Sequence, residues 1–394
     1  MKKTFFFFFV LFAIIQLHAQ TPDLLFSDGN NLYHFKQKII QGNTQVKDLY
    51  QKLLRKADKA LPSPNFSVVH KDTLPVSGDK HDYMSLAPYF WPGKEEDKYE
   101  RRDGERNPST QKISDDNEKE ELRKNLQSLS LVYYLSGNEK YAAKATTLLR
   151  AWFIDDSTKM NPNFNYAQAV TGINDGRGTG LIEARTFAFM LDDIQLLQGS
   201  SSWTKNDDEA LQKWYASFLS WMLNSKNGKH EQAAKNNHGT WYDVQVVAIS
   251  LFLHKEDWAK QYLQNTSFKR IDTQFEQDGR QPLELARTKA LDYSTFNLQA
   301  WFALATLADK TGIDLWHYHH DNKSIKQSFD CLLPYASAEK EWPYKQIVPY
   351  KKRGFYYLLQ QAQAHYNEEQ YQQHLQSLQS NADDTVLNIL LTAW

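Results

Sequence analysis

Residues 121–152 read ELRKNLQSLSLVYYLSGNEKYAAKATTLLRAW. Leu122, Leu126, Leu129 and Val132 recur at intervals of three and four, the spacing that lines one face of an α-helix. Gly137 ends that helix, because glycine takes the left-handed backbone that helix termini demand. Tyr141, Ala145, Leu148, Leu149 and Trp152 then open a second apolar face at once. Two amphipathic helices joined by so short a turn pack against each other as an antiparallel hairpin.

The same punctuation runs outward from this segment. Val46, Leu49, Tyr50, Leu53, Leu54 and Ala57 form another helical stripe. Thr204 with Asp207 resembles a capping box after Gly199, and Gly312 marks a further stop. No alternating strand pattern has comparable strength, and no repeat is sharp enough to name a solenoid. The pattern predicts an all-α fold, a toroid or solenoid of antiparallel helical hairpins. Length alone would allow two or three domains. The reading adopted is a signal peptide over 1–19 and a single (α/α) toroid, an incomplete barrel of hairpins, over 20–394. Residues 62–93 interrupt the helices with five prolines and end in DYMSLAPYFWPG, which predicts a long aromatic-rich loop, either a lid over a cleft or a loop pinned to the body by its own aromatics. Lys94 to Glu121, crowded with both charges, reads as a solvated surface segment. The glycines of NFNYAQAVTGINDGRGTGLIEAR, residues 163–185, lack the context of a phosphate loop or dinucleotide fingerprint.

MKKTFFFFFVLFAIIQLHAQ, with Lys2 and Lys3 before an apolar run and Ala19 near its end, reads as a cleavable secretory signal. A periplasmic or secreted protein without a membrane anchor is expected. Losing Lys2 and Lys3 moves the formal charge from −1 to −3, too near neutral for a general nucleic-acid binder. An anionic ligand would need positive charge gathered in one cleft. The single cysteine, Cys331, excludes a disulfide framework and reads as core. With 11 Trp, 21 Tyr and 22 Phe, the composition suits sugar stacking.

Two clusters carry the ionisable groups. KNNHGTWY, residues 235–242, stands before the apolar run VQVVAISLFL; its plain reading is a helix cap by Asn236 or Asn237 and a satisfied His238. PLELARTKALDYSTFNLQAW, residues 282–301, sets Glu284, Arg287, Lys289, Asp292 and Tyr293 among core residues. Arg287 and Tyr293 are six apart, which on an unbroken helix leaves them about 120° from alignment, so a helix break would help them converge. The plain reading pairs Arg287 with Glu284 or Asp292.

NNHGTW together with ELARTKALDY resembles the alginate lyase superfamily of helical toroids, whose signature is an Asn-His pair followed some fifty residues later by Arg and then Tyr. His238 and Arg287 are 49 apart here. The six-residue step to Tyr293 is similar to polysaccharide lyase family thirty-eight, which acts on glucuronan and mannuronate-rich alginate; family five has one residue more. The resemblance implies a polysaccharide lyase with Asn237, His238, Arg287 and Tyr293 as catalytic residues and an acidic polysaccharide as partner.

The chemistry suits these residue types. Cutting a 4-linked uronan by β-elimination removes the C5 proton, which is weakly acidic beside a carboxylate. Asn237, His238 and Arg287 can neutralise that carboxylate and the enolate-like dianion that follows. Tyr293, its phenol expected to be lowered by a neighbouring guanidinium, can exchange the proton at C5 and C4, with His238 as a rival base. Mannuronate and glucuronate carry the C5 proton and C4 oxygen on one face, so syn elimination giving a 4,5-unsaturated end is expected. Tyr89, Trp91, Tyr166, Gln168, Arg177, Trp241 (or Tyr242) and Lys289 are the expected substrate-binding residues. No cofactor or metal is required; WHYHHD, with His317, His319, His320 and Asp321, is the one cluster with metal-like spacing. Two other readings are a glycoside hydrolase using acids among Glu183, Asp192, Asp193 and Glu284, and a noncatalytic protein binding acidic glycans.

Overall fold

A computed structural model describes residues 21–93 and 98–378. The signal peptide expected over 1–19 lies outside the described residues. Helices α1 (Gly29–Ile40) and α2 (Thr44–Ala60) lead to α3 (Asp115–Ser136) and α4 (Glu139–Leu149). Next come α5 (Arg185–Gln195), α6 (Lys205–Asn224), α7 (Lys226–Gln232) and α8 (Asn237–Phe252). The series ends with α9 (Glu256–Tyr262), α10 (Phe268–Gln274), α11 (Pro282–Leu285), α12 (Ala290–Asp309), α13 (Ile325–Ala336), α14 (Arg353–Tyr366) and α15 (Glu369–Leu378).

The α3–α4 turn has the geometry the sequence demands: Gly137 stands at φ 68° and its N–H donates to Tyr133 O. Thr204 and Asp207 form the reciprocal capping box. α3, α5, α8 and α12 pack side by side in that order, while α2 and α4 cover α3, α6 and α9 cover α8, and α13 covers α12. This is the α/α toroid. Of its inner helices α5, α8 and α12 are buried over most of their surface, because neighbours surround them, whereas α3 keeps a charged outer face. α5 is buried from Thr186 through Ile194, and of the 16 residues of α8 only His238 is not buried. One continuous hydrophobic cluster runs from Leu24 to Tyr371. Most of the aromatic surplus is spent there. Among the described residues no helix is long and apolar enough to cross a membrane.

The strands are short and paired. β1 (Met84–Leu86) runs parallel to β4 (Tyr166–Ala169), and β2 (Phe90–Pro92) pairs antiparallel with β3 (Tyr99–Arg101), setting Trp91 opposite Glu100. β5 (His319–His320) and β6 (Lys323–Ser324) make a third pair. This pairing divides the expected lid loop. Its stem is pinned: Tyr83 is wholly buried, and Tyr83 and Ser85 both donate to Glu183, at 2.9 and 2.6 Å. Only the 87–92 arm, with Tyr89, Phe90 and Trp91, reaches over the body. The charged run from Lys94 onward, where it is described, is solvated at Lys98, Glu100, Arg101, Glu105, Arg106, Lys112 and Glu121 but not throughout. Asn107, Asp115 and Lys119 are buried, and Lys71 and Asp115 form an ion pair with neither side chain exposed. The buried part escapes a local reading because Asp115 finds its partner, Lys71, 44 positions away. Cys331 is half-buried, not core.

Candidate active site

The turn that opens α8 is clamped from below. Asn236 is the N-cap, its side chain accepting from the His238 N–H at 3.3 Å. Arg270 of α10 grips Asp243 through Nε (2.7 Å) and Nη2 (2.9 Å), and donates to the carbonyls of Ala234 and Gln232, both at 2.7 Å. Gln274 donates to Asn236 O at 3.1 Å. The turn presses so close to the helix that a Cβ on Gly239 would sit 2.1 Å from Ala234 O. Position 239 therefore has no space for a side chain.

Out of this clamp come the two residues of the Asn-His pair. His238 is 21% exposed, and its Nδ1 lies 2.6 Å from Oε1 of Glu231, whose side chain is fully buried on α7. A buried carboxylate accepts only, so Nδ1 carries the hydrogen and Nε2 is the nitrogen left to face outward. Asn237 is buried and turned onto Glu284 of α11: its backbone N–H donates at 2.7 Å, and Nδ2 lies 2.9 and 2.8 Å from the two carboxylate oxygens. Burial raises the Glu284 carboxyl above its ordinary range, against the hydrogen bonds from Asn237 and the charges of Arg287 and His238.

The second cluster meets the first at Glu284. α11 ends at Leu285 and α12 begins at Ala290, so Arg287 lies in the break that its spacing from Tyr293 calls for. Its guanidinium carbon lies over the Tyr293 ring, 3.6 Å from the centroid. Neither Glu284 nor Asp292 is its ion-pair partner. Instead Nε and Nη2 hold Asp103, the closest contact being 2.7 Å, with each side chain 15% exposed. Asp103 also accepts from Thr288 N at 3.0 Å. Burial works to raise the Asp103 carboxyl, but Arg287 and Thr288 outweigh it and hold it at about 2. The Tyr293 hydroxyl donates to the Tyr89 hydroxyl at 2.8 Å. The expectation of a lowered phenol is corrected here: burial pushes Tyr293 well up, Tyr89 adds to the rise, and Arg287 only opposes it. A cation on the face of the ring, with its own carboxylate partner, does not offset removal of the phenol from water.

Other expected residues separate into two groups. Arg177 donates to Gln168 Oε1 at 2.8 Å, lies over the Phe90 ring at 4.9 Å, and is within electrostatic reach of Glu231. Gln168 holds φ 50°. Trp91 donates from Nε1 to Glu105 O at 3.0 Å beneath Arg102. Tyr166 is half-buried on β4, and the half-buried Lys289 packs its methylenes near Gly104. Trp241 is a correction. It is 1% exposed, packed on Phe189 and Phe296, and cannot offer a face to a sugar. Tyr242 is equally buried, its hydroxyl donating to Met222 O. An apolar pattern running all round α8 hides which side turns outward.

The histidines of WHYHHD lie on turn and strand, not helix, and take separate carboxylates: His317 with Asp314, His320 with Asp272. Among the described residues no three His, Cys, Asp or Glu groups converge for a metal. The acids a hydrolase would need are occupied. Asp192 accepts the backbone N–H groups of Leu25, Phe26 and Ser27, Glu183 is held by Tyr83 and Ser85, Glu284 by Asn237, and Asp193 is buried. Asp103 and Glu231 are the site residues that the sequence reading missed. Glu231 stands seven positions before His238, a helical interval the intervening turn obscures, and Asp103 is 184 positions from Arg287. Neither has a local signature.

Comparison with known proteins agrees with this geometry. The alginate lyase family matches residues 67–342. The crystal structure of an alginate lyase from Bacteroides ovatus is 35% identical, with a TM-score of 0.89 over 95% of this chain and 100% of that one. Alginate lyase A1-III from a Sphingomonas species is 14% identical with a TM-score of 0.52 over 83% of this chain and 88% of that one. A variant of A1-III complexed with a tetrasaccharide reaches 0.56 at 14% identity over 88% and 93%. These last two bear on the fold alone. No curated protein sequence matches. Toroid, site and matches together define a polysaccharide lyase. The chain belongs to the alginate lyase family.

Proposed function

We propose that this protein is exported by the signal peptide at 1–19, with residues 20–394 as one catalytic toroid, and cleaves 4-linked uronic acid polymers by metal-independent syn β-elimination. Mannuronate-rich alginate is the first substrate and glucuronan the second. The observation that carries this reading is the meeting of two clusters remote in sequence: Asn237 is fixed on Glu284, which also feels His238 and Arg287, and Arg287 lies on Tyr293.

The uronate carboxylate is bound by Asn237 and by the Nη1 edge of Arg287, the edge that Asp103 leaves over. Proton transfer is divided. His238, backed through Nδ1 by Glu231, takes the C5 proton on Nε2 as general base. The C5–H electrons form the C4–C5 double bond as the C4–O bond breaks. Tyr293, whose buried phenol keeps its proton, gives it to the departing oxygen. Both groups serve one face of the sugar, the face on which mannuronate and glucuronate present C5–H and C4–O. Tyr89, Trp91, Tyr166, Gln168, Arg177 and Lys289 are proposed to contact neighbouring sugars.

The test is the ultraviolet absorbance of a conjugated 4,5-unsaturated end, followed on uronate polymers after exhaustive chelation. Rising absorbance that survives chelation is the expected result. Shortened polymer without absorbance would indicate hydrolysis, and loss of activity restored by a divalent cation would overturn the metal-independent scheme.

A further inference from the structure

Binding a uronate carboxylate through Asn237 raises a conflict that the geometry resolves in one way. In the free protein the Asn237 amide points its Nδ2 at both oxygens of Glu284, 2.9 and 2.8 Å away. The donor needed by the substrate is thus spent on a buried carboxylate 1% exposed to solvent. We propose that Glu284 takes up one proton from solvent as the substrate carboxylate binds, and that the Asn237 amide turns over in response. The new Glu284 hydroxyl then donates to Asn237 Oδ1, the other Glu284 oxygen keeps the Asn237 backbone N–H, and Nδ2 is released to donate to the substrate. Glu284 is a positioning residue in this scheme, acting through Asn237. The scheme rests on the reading of Asn237 as a carboxylate ligand.

The surroundings favour such an exchange. The charges facing Glu284 are His238 from α8 and Arg287 from the break before α12, and Asp103 already answers Arg287. A second anion arriving beside a buried carboxyl stabilises its protonated form. Burial has moved Glu284 in that direction before any ligand is present. An amide is the side chain suited to the change, since its two ends exchange donor for acceptor without altering shape.

Proton uptake can be counted directly. Calorimetric titration of the Tyr293→Phe variant with a mannuronate oligosaccharide, at neutral pH in buffers of different ionisation enthalpy, is expected to show about one proton taken up per ligand. Adding Glu284→Gln, which mimics the protonated acid in shape and donor pattern, is expected to reduce the count to about zero while affinity is kept. A count of zero in Tyr293→Phe overturns the proposal. So does a count of one that persists with Glu284→Gln, which would assign the proton to His238. A thermal melt matching the parent shows that Glu284→Gln folds; a variant that unfolds means the ionised carboxylate is needed in the fold and also overturns it. Asn237→Ala in the same background tests the underlying reading separately: undiminished affinity would remove Asn237 as a ligand, whatever the proton count.

Discussion

At Tyr293 the hydroxyl hydrogen points at Tyr89, and the ring face is covered by Arg287. These two contacts separate what the oxygen does from what the ring does. Tyr293→Phe keeps the ring under the guanidinium and removes only the proton donor. The expected outcome is a fall in kcat of at least about 100-fold with oligosaccharide affinity nearly unchanged, measured by steady-state kinetics and titration. Retention of a tenth of the rate would remove Tyr293 from proton transfer. His238→Ala should be comparably severe, because it removes the Nε2 that Glu231 orients. Glu231→Gln, which keeps the hydrogen bond but not its charge, should lower kcat while leaving KM close to that of the parent.

The helix elements explain what was legible beforehand and what was not. Gly137, the Thr204–Asp207 box and the break between Arg287 and Tyr293 are local events, decided by residues within a few positions of one another, and each was readable in the chain. Asp103 and Glu231 were not, because a carboxylate finds its partner through tertiary packing that leaves no periodic trace. Trp241 failed for the opposite reason: its helix is apolar on every side, so spacing assigns no outward face. The clamp on α8 belongs to this scale as well. Arg270→Met leaves Asp243 buried without its cation and frees the carbonyls of Gln232 and Ala234. A loss of about 3–5 kcal/mol in unfolding free energy is expected, measured by denaturant titration. Activity should fall more than stability predicts in any variant that still folds, since the same arginine fixes the turn carrying Asn237 and His238.

Over the whole molecule, a chain of near-neutral charge draws its candidate catalytic and binding groups from separate elements. Arg287, Arg177 and His238 are each backed by a polar partner from another element: Asp103, Gln168 and Glu231. In the proposed reaction His238 and Tyr293 address one sugar face from the same side. Guluronate differs from mannuronate at C5, so its proton lies on the face opposite the leaving oxygen, out of reach of a pair arranged this way. The decisive measurement is to incubate the protein with pure polymannuronate, glucuronan and polyguluronate side by side and follow the absorbance of the unsaturated ends. Rapid rise on polymannuronate or glucuronan with little on polyguluronate is the expected result; preferential cleavage of polyguluronate would contradict the account.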